Sequence, residues 1–210
     1  KQCVGIEREF DNKLATKELL EYQKDGPIKS TQILIDALLT EGVSEATLLD
    51  IGGGIGAIQH ELLKAGASSC ISVEASKAYV EAIKGEAERQ GHPDRIRHVH
   101  GNFVDLATDL PQCDIVTLDR VICCYHDVQS FLEKSLALAR NVYGLVYPLV
   151  NWKAKIAGFL ENVLHRLHRC PFRFFLHPPE MIEDIIHSRG FERRFYQKSG
   201  IWQIAVYVRS

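Results

Sequence analysis

The stretch Leu48-Leu49-Asp50-Ile51-Gly52-Gly53-Gly54-Ile55-Gly56 constrains the fold of this chain more than any other. An apolar run ends near an acid and breaks at once into glycines. A parallel strand that stops, turns tightly and enters a helix has this pattern. Glycines at 52, 54 and 56 let the backbone approach a ligand that side chains would hold off. Two nucleotide cofactors use such a turn, so the turn alone leaves the ligand open.

The residues around it alternate regularly. Residues 11–24 carry a helical face of Leu14, Ala15, Leu19 and Tyr22, stopped by Gly26-Pro27. Ser30 or Thr31 is expected to cap the next helix, whose face is Ile33, Leu34, Ala37 and Leu38 and which Gly42 ends. Strands are expected over 47–51, 70–73, 96–100, 114–118 and 143–147, with helices over 58–65, 77–90 and 128–139. Strands alternating with helices predict a parallel sheet covered on both faces, with ligands at the carboxyl ends of the strands.

The last third breaks the alternation. Residues 151–168 read as a long helix with Trp152, Ile156, Phe159, Leu160, Val163 and Leu167 on one face. Pro171 and Pro178-Pro179 end that region, and 180–188 is a further helix closed by Gly190. Two strands, 191–196 and 201–208, then follow without a helix between them and predict an antiparallel hairpin added to the sheet. The expected fold is therefore α/β: a Rossmann-like, doubly wound, seven-stranded sheet, mostly parallel with an antiparallel C-terminal strand. N-terminal helices (1–42) form a lid, and a helical insertion (151–179) follows strand five. Residues 1–210 form one domain, because that length leaves little to spare.

Composition narrows the function classes. A net charge of −2 argues against nucleic-acid binding driven by phosphate neutralisation. No apolar run reaches the roughly 18 residues of a membrane span. The six cysteines are scattered, with no C-x-x-C pair, and read as reduced thiols in a cytoplasmic protein. Lys1–Glu7 has no signal-peptide apolar region and no initiator Met, which leaves the native start open.

One reading of the turn is dinucleotide binding, with Gly52, Gly54 and Ala57 as the fingerprint and Glu74 as the ribose acid. Asp50 is not part of that fingerprint, and the chain has no room for a separate substrate domain. The other reading rests on several motifs in order. Leu49–Gly56 resembles motif I of class I S-adenosylmethionine-dependent methyltransferases. Glu74, with Ala75 after it, resembles the acid that holds both ribose hydroxyls. Gly101-Asn102-Phe103 resembles the adenine loop after strand three, and Asp119-Arg120 resembles motif IV. The closing hairpin resembles the reversed seventh strand of that family. Gly53 stands where the family often has Cys or Ala, and Asn102 where it often has Asp.

The resemblance implies S-adenosylmethionine as cofactor, held by Asp50, Gly52, Gly53, Gly54, Gly56, Glu74, Ala75, Asn102, Phe103, Asp119 and Arg120. These residue types suit it: a carboxylate near an ammonium, a bidentate carboxylate for vicinal hydroxyls and an aromatic ring over a base.

The acceptor is less legible. Asp114–Asp127, Tyr147-Pro148, Pro171-Phe172-Arg173 and Phe175-Leu176-His177 are similar in layout to magnesium-protoporphyrin O-methyltransferases, at a distance. Cys123-Cys124 replaces the Ile-His that precedes Tyr in that family, so a catalytic His there does not carry over. A small-molecule acceptor at oxygen is expected. A carboxylate acceptor needs no base, whereas a hydroxyl does. His126 and His177 are candidate bases, and Tyr125 a candidate positioning group. Each has a structural alternative, a satisfied loop histidine or a packed ring. Cys123-Cys124 reads as small buried residues rather than reactive thiols. No metal is expected: His165, His168 and Cys170 lack an evident fourth ligand. Residues 151–173 hold Lys153, Lys155, Arg166, Arg169 and Arg173 against Glu161. That surplus favours a pocket wall or lid and leaves peripheral membrane contact open. The sequence does not speak to oligomeric state.

Overall fold

A computed structural model describes residues 2–168 and 170–210, without the side chains of residues 2–4, 153 and 161. Seven strands form one sheet in the order β3-β2-β1-β4-β5-β7-β6. They are β1 (Thr47–Ile51), β2 (Ser69–Glu74), β3 (Ile96–His100), β4 (Cys113–Asp119), β5 (Ala139–Pro148), β6 (Phe191–Ser199) and β7 (Trp202–Arg209). Neighbours from β3 through β5 run parallel, while β7 is antiparallel to both β5 and β6. The expected alternation and closing hairpin are both present.

The helices are α1 (Gln2–Glu9), α2 (Asn12–Asp25), α3 (Lys29–Thr40), α4 (Ala57–Lys64), α5 (Lys77–Arg89), α6 (Phe103–Leu106), α7 (Val128–Leu138), α8 (Trp152–Leu167) and α9 (Pro179–Ser188). One apolar cluster packs α3 and α4 through Leu34, Leu38 and Leu62 onto Leu48, Ile115 and Val206 of the sheet. The opposite face packs α7 and α9 through Phe131, Leu132 and Ile182 onto Leu49, Val116 and Tyr143. β1 is buried from both sides, which is why its sequence is a continuous apolar run rather than an alternation.

Three local features differ from the sequence expectation. The α3 helix has Ile28 at its N-cap with no side-chain hydrogen bond, and Ser30 and Thr31 are buried in its first turn rather than capping it. The Thr31 hydroxyl is committed elsewhere, to Asp119. Of residues 1–42, α3 is a layer of the core, whereas α1 and α2 reach over the carboxyl ends of the strands. Helix α1 carries little sequence signal because Gly5 lies in its middle. The tertiary fold uses that glycine for close packing: a Cβ there would stand 2.7 Å from the Phe172 backbone nitrogen.

The sharpest difference is α8. Its large apolar residues face outward. Trp152, Ile156, Phe159, Leu160, Leu164 and Leu167 are 52–74 % exposed, while Gly158 is buried. Lys153, Glu161 and Arg169, which contribute to the charge surplus of this region, lie outside the described side chains.

Candidate active site

The glycine turn lies between β1 and α4, beside the place where the strand order reverses from β1 to β4. Gly52 N–H donates to Val73 O at 2.8 Å, which pins the turn to β2. Gly56 has φ 82° and starts α4, a left-handed conformation that a side chain would strain. Gly53 packs on the Asp50 carboxylate, and a Cβ added there would overlap Asp50 Oδ2. Where the family often has Cys or Ala, this chain has room only for glycine unless the carboxylate moves.

Asp50 is fully buried beneath the turn and does not line the cavity above it. Its Oδ1 accepts from Thr117 Oγ1 at 2.7 Å, and its Oδ2 from Gln59 Nε2 at 3.4 Å. Burial pushes its pKa up to about 7, the Asp119 and Glu74 charges add to the rise, and the Thr117 hydrogen bond opposes it.

A cavity of about 590 Å³ opens over the carboxyl ends of the strands, a size that suits a nucleotide-like ligand. Gly52, Gly53, Gly54, Glu74, Ala75, Phe103, Asp119 and Arg120 line it, all residues that the sequence singled out. Glu74 ends β2 and is 7 % exposed. Its Oε1 accepts from Ser76 N–H at 2.9 Å. Burial lifts its pKa to about 7, against the backbone N–H groups of Ser76, Ala75 and Gly54. Asp119 ends β4, accepting from Thr31 Oγ1 at 2.6 Å and from Arg120 Nε at 3.2 Å. Arg120 holds φ 57°, a strained value for a side chain of its size, and its N–H donates to Val146 O.

Other expected residues are placed differently. Asn102 does not line the cavity; its Oδ1 accepts from Tyr125 OH at 2.9 Å and its Nδ2 donates to Asp105. Tyr125 does line it, with its ring 4.2 Å from that of Phe131. His126 is exposed against Phe175 and does not line the cavity. His177 does not line it either; its Nε2 stands 2.9 Å from the Tyr125 carbonyl. A carbonyl only accepts, so this nitrogen carries the proton. Burial lowers the His177 pKa. Cys123 and Cys124 are buried and line the cavity, with Cys123 Sγ donating to Arg120 O at 3.3 Å.

The N-terminal helices, expected as a lid, supply the cavity's other wall, and the sequence marked neither Glu9 nor Glu18 in it. Glu9 and Phe10, near the end of α1, and Glu18 of α2 close it from above. Glu18 accepts from Tyr79 OH at 2.8 Å, and Phe10 meets Tyr79 and Phe172 edge-on. No local motif marks these residues. Only the placement of α1 and α2 over the strand ends brings them in. The segment after α8 closes a third side, since Phe175 N–H donates to Cys123 O at 2.8 Å. Beside the cavity, Glu9, His165 and Cys170 bring ligand-type atoms within 4.8 Å of one another. In this cluster the His165 imidazole pairs with the Glu9 carboxylate at 3.6 Å, joining α1 to α8.

Among the described residues the lining carries four carboxylates, Glu9, Glu18, Glu74 and Asp119, against one guanidinium. A cavity of that charge favours a cation, and its buried carboxylate at a glycine turn favours a ribose.

Fold and turn together define a nucleotide-binding α/β enzyme domain. Residues 49–141, the stretch that carries the glycine turn, Glu74 and Asp119, match the family model described as a methyltransferase domain. A search of curated protein sequences finds no match. Among solved structures, the chain is similar to the magnesium protoporphyrin IX methyltransferase of Synechocystis PCC 6803 with bound SAH. That pair shares 16 % identity and a TM-score of 0.76, covering 98 % of this chain and 99 % of that one. An O-methyltransferase family protein from Burkholderia thailandensis aligns at 16 % identity and TM-score 0.70, over 96 % of this chain and 62 % of that one. A putative RNA methyltransferase from Pyrococcus horikoshii aligns at 15 % identity and TM-score 0.63, over 85 % and 83 %. These likenesses establish the fold.

Proposed function

We propose that this protein transfers a methyl group from S-adenosylmethionine to an oxygen, carboxylate or hydroxyl, of a small apolar molecule in the cytoplasm. The observation that carries this reading is Glu74. It is a buried carboxylate at a cavity wall, beside a glycine turn and within a net acidic lining. Glu74 accepts from the two vicinal ribose hydroxyls, and Phe103 covers a face of the base. Glu18 and Asp119 offset the positive charges of the donor. The donor supplies an electrophilic methyl carbon on a cationic sulfur.

The far wall supports an apolar acceptor. Cys123, Cys124, Phe172, Phe174 and Leu176 leave few polar partners there and exclude water from the reacting atoms. Among the described residues no histidine lines the cavity, which favours an acceptor already ionised, or one whose proton leaves to a carboxylate. Five described cysteines are free and buried, in keeping with a reducing compartment.

Calorimetric titration separates this reading from its rivals. Saturable binding of S-adenosylmethionine without binding of NAD is expected, and the reverse would return the turn to the dinucleotide reading. Incubation with methyl-labelled donor and a metabolite extract then identifies the product. Donor binding with no labelled product across carboxylate, phenol and thiol acceptors would mark a non-catalytic binding module.

A further inference from the structure

We propose that α8 lies flat on an anionic lipid surface, with its apolar stripe in the bilayer interface and its small-residue face against the protein. This rests on the orientation of the helix and is independent of the methyl-transfer reading.

The outward stripe is a consequence of what α8 packs on. Gly158 sits against the Phe174 ring, where a Cβ would already be 3.1 Å away. Asn162 exchanges two hydrogen bonds with the Phe174 backbone, Nδ2 to O at 2.8 Å and N–H to Oδ1 at 2.9 Å. His165 pairs with Glu9. Ala154, Ala157 and Gly158 line the cavity. Among the described residues the inner face therefore carries small or hydrogen-bonded side chains, and rolling the helix inward would drive Phe159 or Leu160 into the Phe174 contact. Ile156, Phe159, Leu160, Leu164 and Leu167, spaced to form one stripe, are left in water. A stripe of this size costs the folded protein its hydrophobic stabilisation unless something covers it.

Charge decides what covers it. Lys155 and Arg166 are exposed and fall along one edge of the stripe by helical spacing. Residues 151–173 carry five basic side chains and one acidic one. In a twofold contact between copies through α8, Lys155 and Arg166 would be brought against their own copies. An anionic headgroup layer would instead pair with them while the stripe enters the acyl boundary. At 16 residues α8 lies on a bilayer; no described helix is long and apolar enough to cross one. Ile201, 65 % exposed, also lines the cavity, so an apolar rim of the cavity is open to solvent.

The whole chain is to be pelleted with phosphatidylcholine vesicles, with and without phosphatidylglycerol. Binding is expected to the anionic vesicles and to weaken with salt. Phe159→Ser combined with Leu167→Ser should lower partitioning by about tenfold or more with an unchanged melting temperature, since both side chains are already in water. Lys155→Glu combined with Arg166→Glu should remove the preference for anionic vesicles. Failure to pellet with either vesicle overturns the proposal, as does equal binding to both. A concentration-dependent dimer that Phe159→Ser dissociates, without vesicle binding, assigns the stripe to a second copy and also overturns it.

Discussion

Thr31 Oγ1 donates a 2.6 Å hydrogen bond to Asp119 Oδ2, joining the first turn of α3 to the carboxyl end of β4. The bond is buried and spans two distant parts of the chain. Thr31→Val keeps the shape and removes the donor. It should destabilise the fold by about 1–3 kcal/mol, the cost of a lost hydrogen bond to a buried charge. Urea unfolding measures this; an unchanged midpoint would show that Arg120 alone satisfies Asp119.

Glu74→Ala should weaken S-adenosylmethionine binding by about tenfold or more, because ribose hydroxyls left without an acceptor in a buried site cost roughly 1–3 kcal/mol. Calorimetry reads the loss directly. Equal affinity in wild type and variant would refute the ribose assignment.

Donor binding should also depend on pH. The folded Glu74 carboxyl titrates near 7. A ligand that needs the charged form must pay for its ionisation below that value. Affinity should therefore fall by about tenfold from pH 8 to pH 6, and Glu74→Gln should flatten the dependence. A flat wild-type profile would place the ligand away from this carboxylate.

Stability of the unliganded protein should move the opposite way. Asp50 and Glu74 titrate near 7 when folded and near 4 when unfolded. The folded state holds protons that the unfolded chain has released. Their contribution is full below about pH 4 and is lost as pH rises through about 7. His60 opposes this, because burial lowers its pKa to about 4. Its contribution is full above about 6.5 and is lost as pH falls toward 4. The difference between wild type and Asp50→Asn, measured by denaturation across this range, isolates the carboxylate. A difference that does not vary with pH would mean that Asp50 is ionised throughout.

The two histidines provide a test of the acceptor chemistry. His126→Ala should leave kcat within about twofold, since a general base contributes on the order of 100-fold or more and His126 is not on the cavity wall. A loss on the order of 100-fold in this variant would mean that the loop moves to bring His126 to the acceptor. His177→Gln keeps a donor for the Tyr125 carbonyl and should be milder than His177→Ala.

The turn at Gly52–Gly56, the strand alternation and Glu74 were legible because each is a short-range matter. Backbone conformation, burial on two sides and position at a strand end all leave marks within a few residues. Gly53 was legible as a glycine, but its reason was not, since the Asp50 carboxylate folds back beneath it only in three dimensions. Glu9 and Glu18 carried no signal because they meet the site only through the placement of α1 and α2. His177 looked like a base in the sequence, and only its contact with the Tyr125 carbonyl shows what its Nε2 does.

By itself, then, the amino-acid sequence determined the order of strands and helices, the glycine turn and the acids at the strand ends, because local periodicity and backbone freedom decide these. Which way α8 faces was left to the tertiary structure. A helical stripe of Trp, Phe and Leu has the same spacing whether it points in or out. The choice was made by Gly158 and Asn162, which fit against Phe174 where no large side chain could.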